Sequence, residues 1–244
     1  TTAALLIAAP ALADTAPYFD DFRGLAMARD DAGVLVVTIN DGKGGSITFT
    51  AQDHTDFTEA FYRIAQDRDN KVVILTGAGD YMAAIDFSTF GNVADPDVWS
   101  RVHDEGVQIV ENIANIRVPM IAAIEGRAWI HSEYALLANI IVAGESASFN
   151  DLPHFAGGIV PGDGIHTAWA YRAGPGRAEA FLLNPAPVSA QTAQSWGVVA
   201  EVVPDGTALD RAQQIAGLYL AQPEVTRRNT RIHFIQPLKE ALVR

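Results

Sequence analysis

Strand-like and helix-like runs alternate along this chain, and the alternation narrows the fold more than any single motif. Phe22 to Arg29 and Val34 to Asn40 read as two strands divided by the turn Asp30-Asp31-Ala32-Gly33, the second carrying the β-rich run VLVVTI. Short apolar strands follow at Val72 to Thr76, Pro119 to Ile124 and Ile140 to Ala143. Between them lie stretches of helical spacing. Thr50 to Asp69 puts Phe57, Ala60, Phe61 and Ile64 on one face, and Val98 to Asn115 carries Val102, Val107, Ile109, Val110 and Ile113. From Ile165 onward the chain reads as mostly helical, with one short strand at Val198 to Val203. This pattern predicts an α/β fold in which right-handed crossovers wrap a largely parallel sheet. With 244 residues and no shift of composition near the middle, one large domain is expected. Its parts read as an apolar leader at 1–17, a core at 18–204 and a C-terminal helical region at 205–244.

Composition removes several classes of function. A formal net charge of -12 argues against nucleic acid or an anionic membrane as partner, because phosphate binding needs clustered Lys and Arg. Zero cysteines exclude disulfides, zinc–thiolate sites and thiol nucleophiles together. The first residues, TTAALLIAAPALADTAP, carry an Ala11-Leu12-Ala13 pattern of the kind read before a signal cleavage point, and the run is too short to span a membrane. If it is a signal remnant, export follows, with Asp14 as the first mature residue. Near the other end, Arg227, Arg228, Arg231, Lys239 and Arg244 form a basic segment in an acidic protein. It reads either as a solvated helix face or as a surface packed on an acidic neighbouring subunit.

The chemistry concentrates in HFAGGIVPGDGIH, where His154 and Asp163 stand at the two ends of a glycine-rich loop. Neutral imidazole is the usual protein base near pH 7, and a carboxylate within reach fixes its tautomer and stabilises the imidazolium. Nine residues apart, the two side chains meet only if the loop folds back. Spacing alone equally allows a loop histidine and a helix-capping aspartate, and Asp151 rivals Asp163 as the orienting carboxylate.

Three blocks in this order, VVILTGAGDYMAAIDF, PMIAAIEGRAWIHSEYALLANIIVAGESASF and the loop ending IVPGDG, resemble the crotonase (enoyl-CoA hydratase/isomerase) superfamily. The resemblance covers most of residues 20–244. It implies ββα units in a superhelix with two near-perpendicular sheets, a helical C-terminal region that makes trimer contacts, and a homotrimer or dimer of trimers. It also implies a cytoplasmic protein, against the export reading of the leader. In that superfamily two backbone N–H groups stabilise an enolate, a device worth about 3 kcal/mol per donor. The resemblance puts Ile85 at the first donor position and His131 where a glycine usually sits. It aligns the two hydratase glutamate positions with Tyr134 and His154, a one-residue slip placing Glu133 at the first. The lysine that often helps hold coenzyme A is missing from Asp86-Phe87-Ser88.

Histidines at these places are similar to those of the β-diketone hydrolase subgroup, the relatives of 6-oxocamphor hydrolase. That resemblance implies His154, Asp163 and His131 as catalytic residues and His54 as a carbonyl-binding candidate, alongside the reading of His54 as a structural residue near a helix start. Phe49 takes the place of a substrate-holding tryptophan; unlike Trp, Phe donates no hydrogen bond. Trp129, Phe90 and Trp99 are candidates to line an apolar pocket, and Asp86 to cap the turn after Ile85. The implied reaction is cofactor-independent and metal-free: His154, oriented by Asp163, activates water to cleave a small, cyclic β-diketone to a keto acid. Two rival readings are a CoA-thioester hydratase or isomerase using Glu133 or Tyr134, and a non-catalytic crotonase-fold subunit.

Overall fold

A computed structural model of the chain describes residues 16–184 and 186–242. The Ala11-Leu12-Ala13 pattern of the leader lies outside the described residues. Strands β1 (Leu25–Arg29) and β2 (Val34–Ile39) form an antiparallel hairpin, and β3 (Thr48–Phe49) leads into helix α1 (Ala51–Gln66). Thr50 closes a capping box with Asp53 at the start of α1, which satisfies backbone donors that the first turn leaves open. Strand β4 (Val72–Gly77), β5 (Ala84–Ile85) and helix α2 (Pro96–Ala114) follow. Then come β6 (Met120–Ile124), β7 (Arg127–Ala128), the one-turn α3 (Glu133–Leu136), β8 (Ile140–Gly144) and β9 (Ser148–Phe149). The last third contains α4 (Ile165–Ala173), α5 (Pro175–Leu183), β10 (Val188–Ser189), α6 (Ala190–Ser195), β11 (Glu201–Val203), α7 (Ala208–Leu220) and α8 (Glu224–Leu242).

The main sheet has the order β1-β2-β4-β6-β8-β11, and every pairing after the hairpin is parallel. Two small sheets, β10-β9-β7 and β3-β5, accompany it. The central strands are apolar on both faces because both faces are covered. Along β4, Val73 and Leu75 enter the large core while Val72 and Ile74 face the other way, and β6 alternates likewise. Helix α7 covers that second face with Ala208, Ala212, Ile215 and Ala216. Small side chains let it lie close to the strands. Helix α8 returns to the first face, where Ile235 and Leu238 join the main core. The C-terminal helices therefore complete the core begun by the strands. Among the described residues no helix is long and apolar enough to cross a membrane.

Strand ends are shifted from their sequence-based positions by a few residues. The largest shifts are at β1, which starts at Leu25 rather than Phe22, and at β11, which starts at Glu201 rather than Val198. Phe22 is buried in the core before the ladder begins, so its apolar character reports packing, not strand.

Candidate active site

Four histidines line one cavity of about 560 Å³, open to solvent at its mouth, and three of them, His54, His131 and His154, converge at its polar end while His103 lies on α2. Helix α1 supplies His54, the loop before α3 supplies His131, and the segment after β9 supplies His154; Ile85 and Asp163 complete the polar end. Phe87, Phe90, Val93, Trp99 and Val102 form an apolar wall with Ile159 and Val160. A concave, mostly apolar site with a few convergent polar groups suits a small organic ligand.

Each histidine has a carboxylate behind it. His54 Nδ1 lies 2.9 Å from Glu105 Oε2, and His131 Nδ1 lies 2.8 Å from Glu133 Oε1. Burial pushes His54 below the ordinary imidazole range, outweighing the pull of Glu105, so His54 is neutral at pH 7. His131 bonds through Nδ1 alone among the described residues, leaving Nε2 unengaged in a side chain that lines the cavity.

His154 differs from both. Its Nδ1 is 2.8 Å from Asp151 Oδ1 and its Nε2 is 3.1 Å from Asp163 Oδ2. Both aspartates that the sequence offered as alternatives bond to it, one at each nitrogen. Burial lowers the pKa of this imidazole, but the two carboxylate hydrogen bonds and charges outweigh it and raise it to about 11. Burial likewise pushes Asp163 up, and the bond and charge of His154 more than reverse this, holding it well below the usual carboxylate range. At neutral pH the group is an imidazolium between two carboxylates, with no lone pair to accept a proton. His154 and Asp163 are thus brought together as the sequence leads one to expect, and Asp151 joins them at the other nitrogen.

The backbone around His131 is equally specific. His131 has φ 47, the only positive φ among the described non-glycine residues. Side chains pay about 1–3 kcal/mol for such geometry, so the structure explains why glycine suits this position. Trp129 and Ile130 both donate their amides to Met82 O, at 2.8 and 3.2 Å, and the chain then turns at His131 toward α3. Tyr134 stacks on the imidazole with ring centroids 4.9 Å apart and 2° between planes. Neither candidate for the first hydratase position supplies a cavity carboxylate: Glu133 is buried behind His131 and Tyr134 against its ring, and neither lines the wall. Burial also pushes the Glu133 carboxyl above its ordinary range, and the Tyr134 hydroxyl well above its own.

The remaining expectations divide. Phe90 and Trp99 line the cavity, and Asp86 caps the short turn Phe87–Phe90 by accepting from Ser88 N–H at 3.0 Å. Trp129 does not line it. Its indole N–H donates to Ser148 Oγ at 3.0 Å and its ring lies under Arg127, which corrects its assignment to the substrate wall. Phe49 is also absent from the wall; fully buried, it meets the rings of His54 and His131 edge-on at 6.0 and 5.1 Å and fixes their tilt from behind. Glu105 and Gly106 on α2 were missed. A Cβ at Gly106 would stand 3.2 Å from Asp163 Cβ and 3.6 Å from His54 Nε2, so the missing side chain lets α2 approach the site. His131, Glu133 and Asp163 each bring a donor atom within 4.8 Å of the others, a spacing that admits a metal ion. Each of these carboxylates also bonds to a histidine through one oxygen, Glu133 Oε1 to His131 and Asp163 Oδ2 to His154.

Comparison with known proteins decides the lineage. The enoyl-CoA hydratase/isomerase family model matches residues 29–244. The chain belongs to the enoyl-CoA hydratase/isomerase family. It is an enzyme of the crotonase superfamily, with that superfamily's fold. Among curated relatives it is 31% identical over 194 residues to a probable peroxisomal enoyl-CoA hydratase 1 of Arabidopsis thaliana, covering 79% of this chain and 71% of that protein. Among solved structures it is similar to a β-diketone hydrolase from the cyanobacterium Anabaena sp. PCC 7120 bound to (S)-3-oxocyclohexyl acetic acid. There the identity is 41% and the TM-score 0.91, covering 94% of this chain and 92% of the other. An enoyl-CoA hydratase/isomerase from Mycobacterium paratuberculosis is 25% identical with a TM-score of 0.81, covering 91% and 88%.

Proposed function

We propose that this crotonase-superfamily enzyme hydrolyses a carbon–carbon bond of a small cyclic β-diketone, giving a keto acid without a cofactor. The observation that carries the reading is the convergence on one cavity of His54, His131 and His154, each backed by a carboxylate. The likeness to the cyanobacterial β-diketone hydrolase supports it. Among the described residues no Lys or Arg lines the cavity, which leaves the phosphates of coenzyme A without a partner there.

Glu133 accepts Nδ1–H of His131 and so leaves the Nε2 lone pair facing the cavity, the arrangement of a general base. His131 takes a proton from water as the water oxygen bonds to one carbonyl carbon. The tetrahedral adduct then collapses: a carbonyl re-forms as the carboxylic acid, the bond to the central carbon breaks, and its electron pair becomes the enolate of the second ketone. The imidazolium of His131 returns its proton to that enolate carbon. Diketone and water are thus converted to one keto acid, and the base is regenerated. Ile85 N–H is the proposed donor to the developing oxyanion, and His54 the carbonyl-orienting group. His154, a cation at neutral pH with both N–H groups engaged, acts through its charge on the enolate and by holding Asp163 in place.

The same proposal includes a homotrimer or a dimer of trimers, supported by the family resemblance. Two measurements test the activity. Cyclic 1,3-diketones are expected to lose their enolate absorbance in the presence of the enzyme, and His131→Asn, a residue type that tolerates positive φ, is expected to slow this at least about 10²-fold. Calorimetry with acetyl-CoA is expected to give no heat of tight binding. Binding that weakens on removal of the 3′-phosphate, together with diketones left intact, would instead favour the thioester hydratase reading of the curated relatives.

A further inference from the structure

Away from the histidine cavity, helix α8 pushes a guanidinium into the protein with no acid to meet it. Arg231 is 1% exposed, and its Nε and Nη1 donate to the carbonyls of Ile116 and Leu137 at 3.3 and 2.8 Å. Arg172 of α4 reaches the same end of α3, donating to the carbonyls of Leu136 and Ala138. Carbonyl dipoles at a helix C-terminus offset part of a cation's charge, but a whole carboxylate offsets more. Among the described residues neither arginine forms an ion pair, and Arg231 Nη2 is buried without a hydrogen-bond partner. One turn earlier, the Nε of Arg227 is also buried without a partner.

Two cavities flank Arg231. One, of about 690 Å³, is lined by Arg172, Arg231, Asn139, Tyr171 and His233; the other, of about 520 Å³, by Arg227, Arg231, Thr226 and Thr230, with Asn139 and Phe234 in both. Among the described residues neither wall contains an Asp or Glu, although the chain has 29 acidic residues against 17 basic ones. An acid-rich protein that sets several arginines around two half-open cavities, with no acid among their described lining residues, has built a positive hole. Burial and the charge of Arg172 push Arg231 down to about 9, the direction expected of a cation lacking its counter-ion.

We propose that the Arg231 cavities form an oxyanion-binding site, for carboxylate or phosphate oxygens, distinct from the histidine cavity. The oxygens come either from a small anion in solution or from an acidic side chain of a second copy. The basic segment therefore does not act merely as a solvated helix face, since its central arginine is buried.

The test uses Phe234, which lines both cavities, lies three residues from Arg231 on α8 and is 61% exposed, so substitution leaves the core intact. Phe234→Glu supplies a tethered carboxylate, and Phe234→Gln is its neutral control. Melting temperature is measured with inorganic phosphate against chloride at equal ionic strength, and molecular mass by sedimentation. A saturable rise with phosphate in the wild type and Phe234→Gln, lost in Phe234→Glu, supports the site with a free anion. Phosphate-insensitive wild-type and Phe234→Gln oligomers of equal mass, with dissociation confined to Phe234→Glu, support a second copy's carboxylate. Equal phosphate responses and equal masses in all three proteins, or no phosphate response in any of them together with equal masses, would overturn the proposal.

Discussion

At His131, side chain and backbone make opposite demands. Its φ of 47 favours glycine, yet an imidazole occupies the position, stacked on Tyr134 and bonded to Glu133. Asn tolerates this backbone, so His131→Asn is expected to fold with a stability loss below that of His131→Ala, as urea unfolding can show. His154 makes a pH-dependent contribution of definite sign. Its folded pKa near 11 lies above the ordinary 6.5, so its stabilisation is complete below pH 6.5 and is lost as pH rises toward 11. His54 has a depressed pKa, so its contribution has the opposite sign, rising with pH and nearly complete by about pH 8, above the unfolded imidazole range. Stability measured by urea unfolding at pH 7, 8 and 9 should therefore fall, by at most about 1.4 kcal/mol per pH unit from this group, and His154→Gln should flatten the fall. An unchanged slope in that variant would contradict the doubly bonded imidazolium. His154, Asp163 and Asp151 were legible as a group because a histidine and two acids flank a glycine-rich loop. Which nitrogen meets which acid was not, because it depends on how the loop folds back.

At the scale of elements, the site is held by the packing of α1 on α2. His54 and Glu105 are 51 residues apart and meet only because these helices lie side by side. Their amphipathic spacing revealed the helices but gave no sign of the pair, since a polar residue at a helix's buried edge resembles one on its solvent face. Gly106 gave no sign either. A mid-helix glycine costs about 0.5–1 kcal/mol relative to alanine, and here the cost accompanies close approach to Asp163. Gly106→Ala is thus expected to leave the melting temperature unchanged or slightly higher, while lowering diketone turnover at least about tenfold by displacing Asp163 and His54. Full turnover in that variant would mean that α2 does not set the site's geometry. The strands were the most legible elements, because runs buried on both faces have to be apolar throughout. Trp129 was misread for a related reason: beside a short strand, an aromatic ring can turn to either side, and this one turns to Ser148 and Arg127.

For the whole molecule, the parallel sheet, its crossovers and the C-terminal helices followed from the alternation of runs and from the resemblance of three ordered blocks. The burial of Arg231 and the exclusion of acids around it did not, because charge along a sequence does not state which cations face inward. The family scaffold delivers a backbone turn at His131 and an apolar cavity; the chemistry installed there depends on which side chains line it. In the proposed function those side chains add one water across a carbon–carbon bond. Its most direct test is mass spectrometry of the product formed from a cyclic 1,3-diketone in ¹⁸O-labelled water. The predicted result is a ring-opened keto acid heavier than the substrate by one labelled water, with the label in the carboxylate and its formation at least about 10²-fold slower with His131→Asn. Unchanged diketone across the panel, or label incorporated only by ketone exchange without ring opening, would contradict the account.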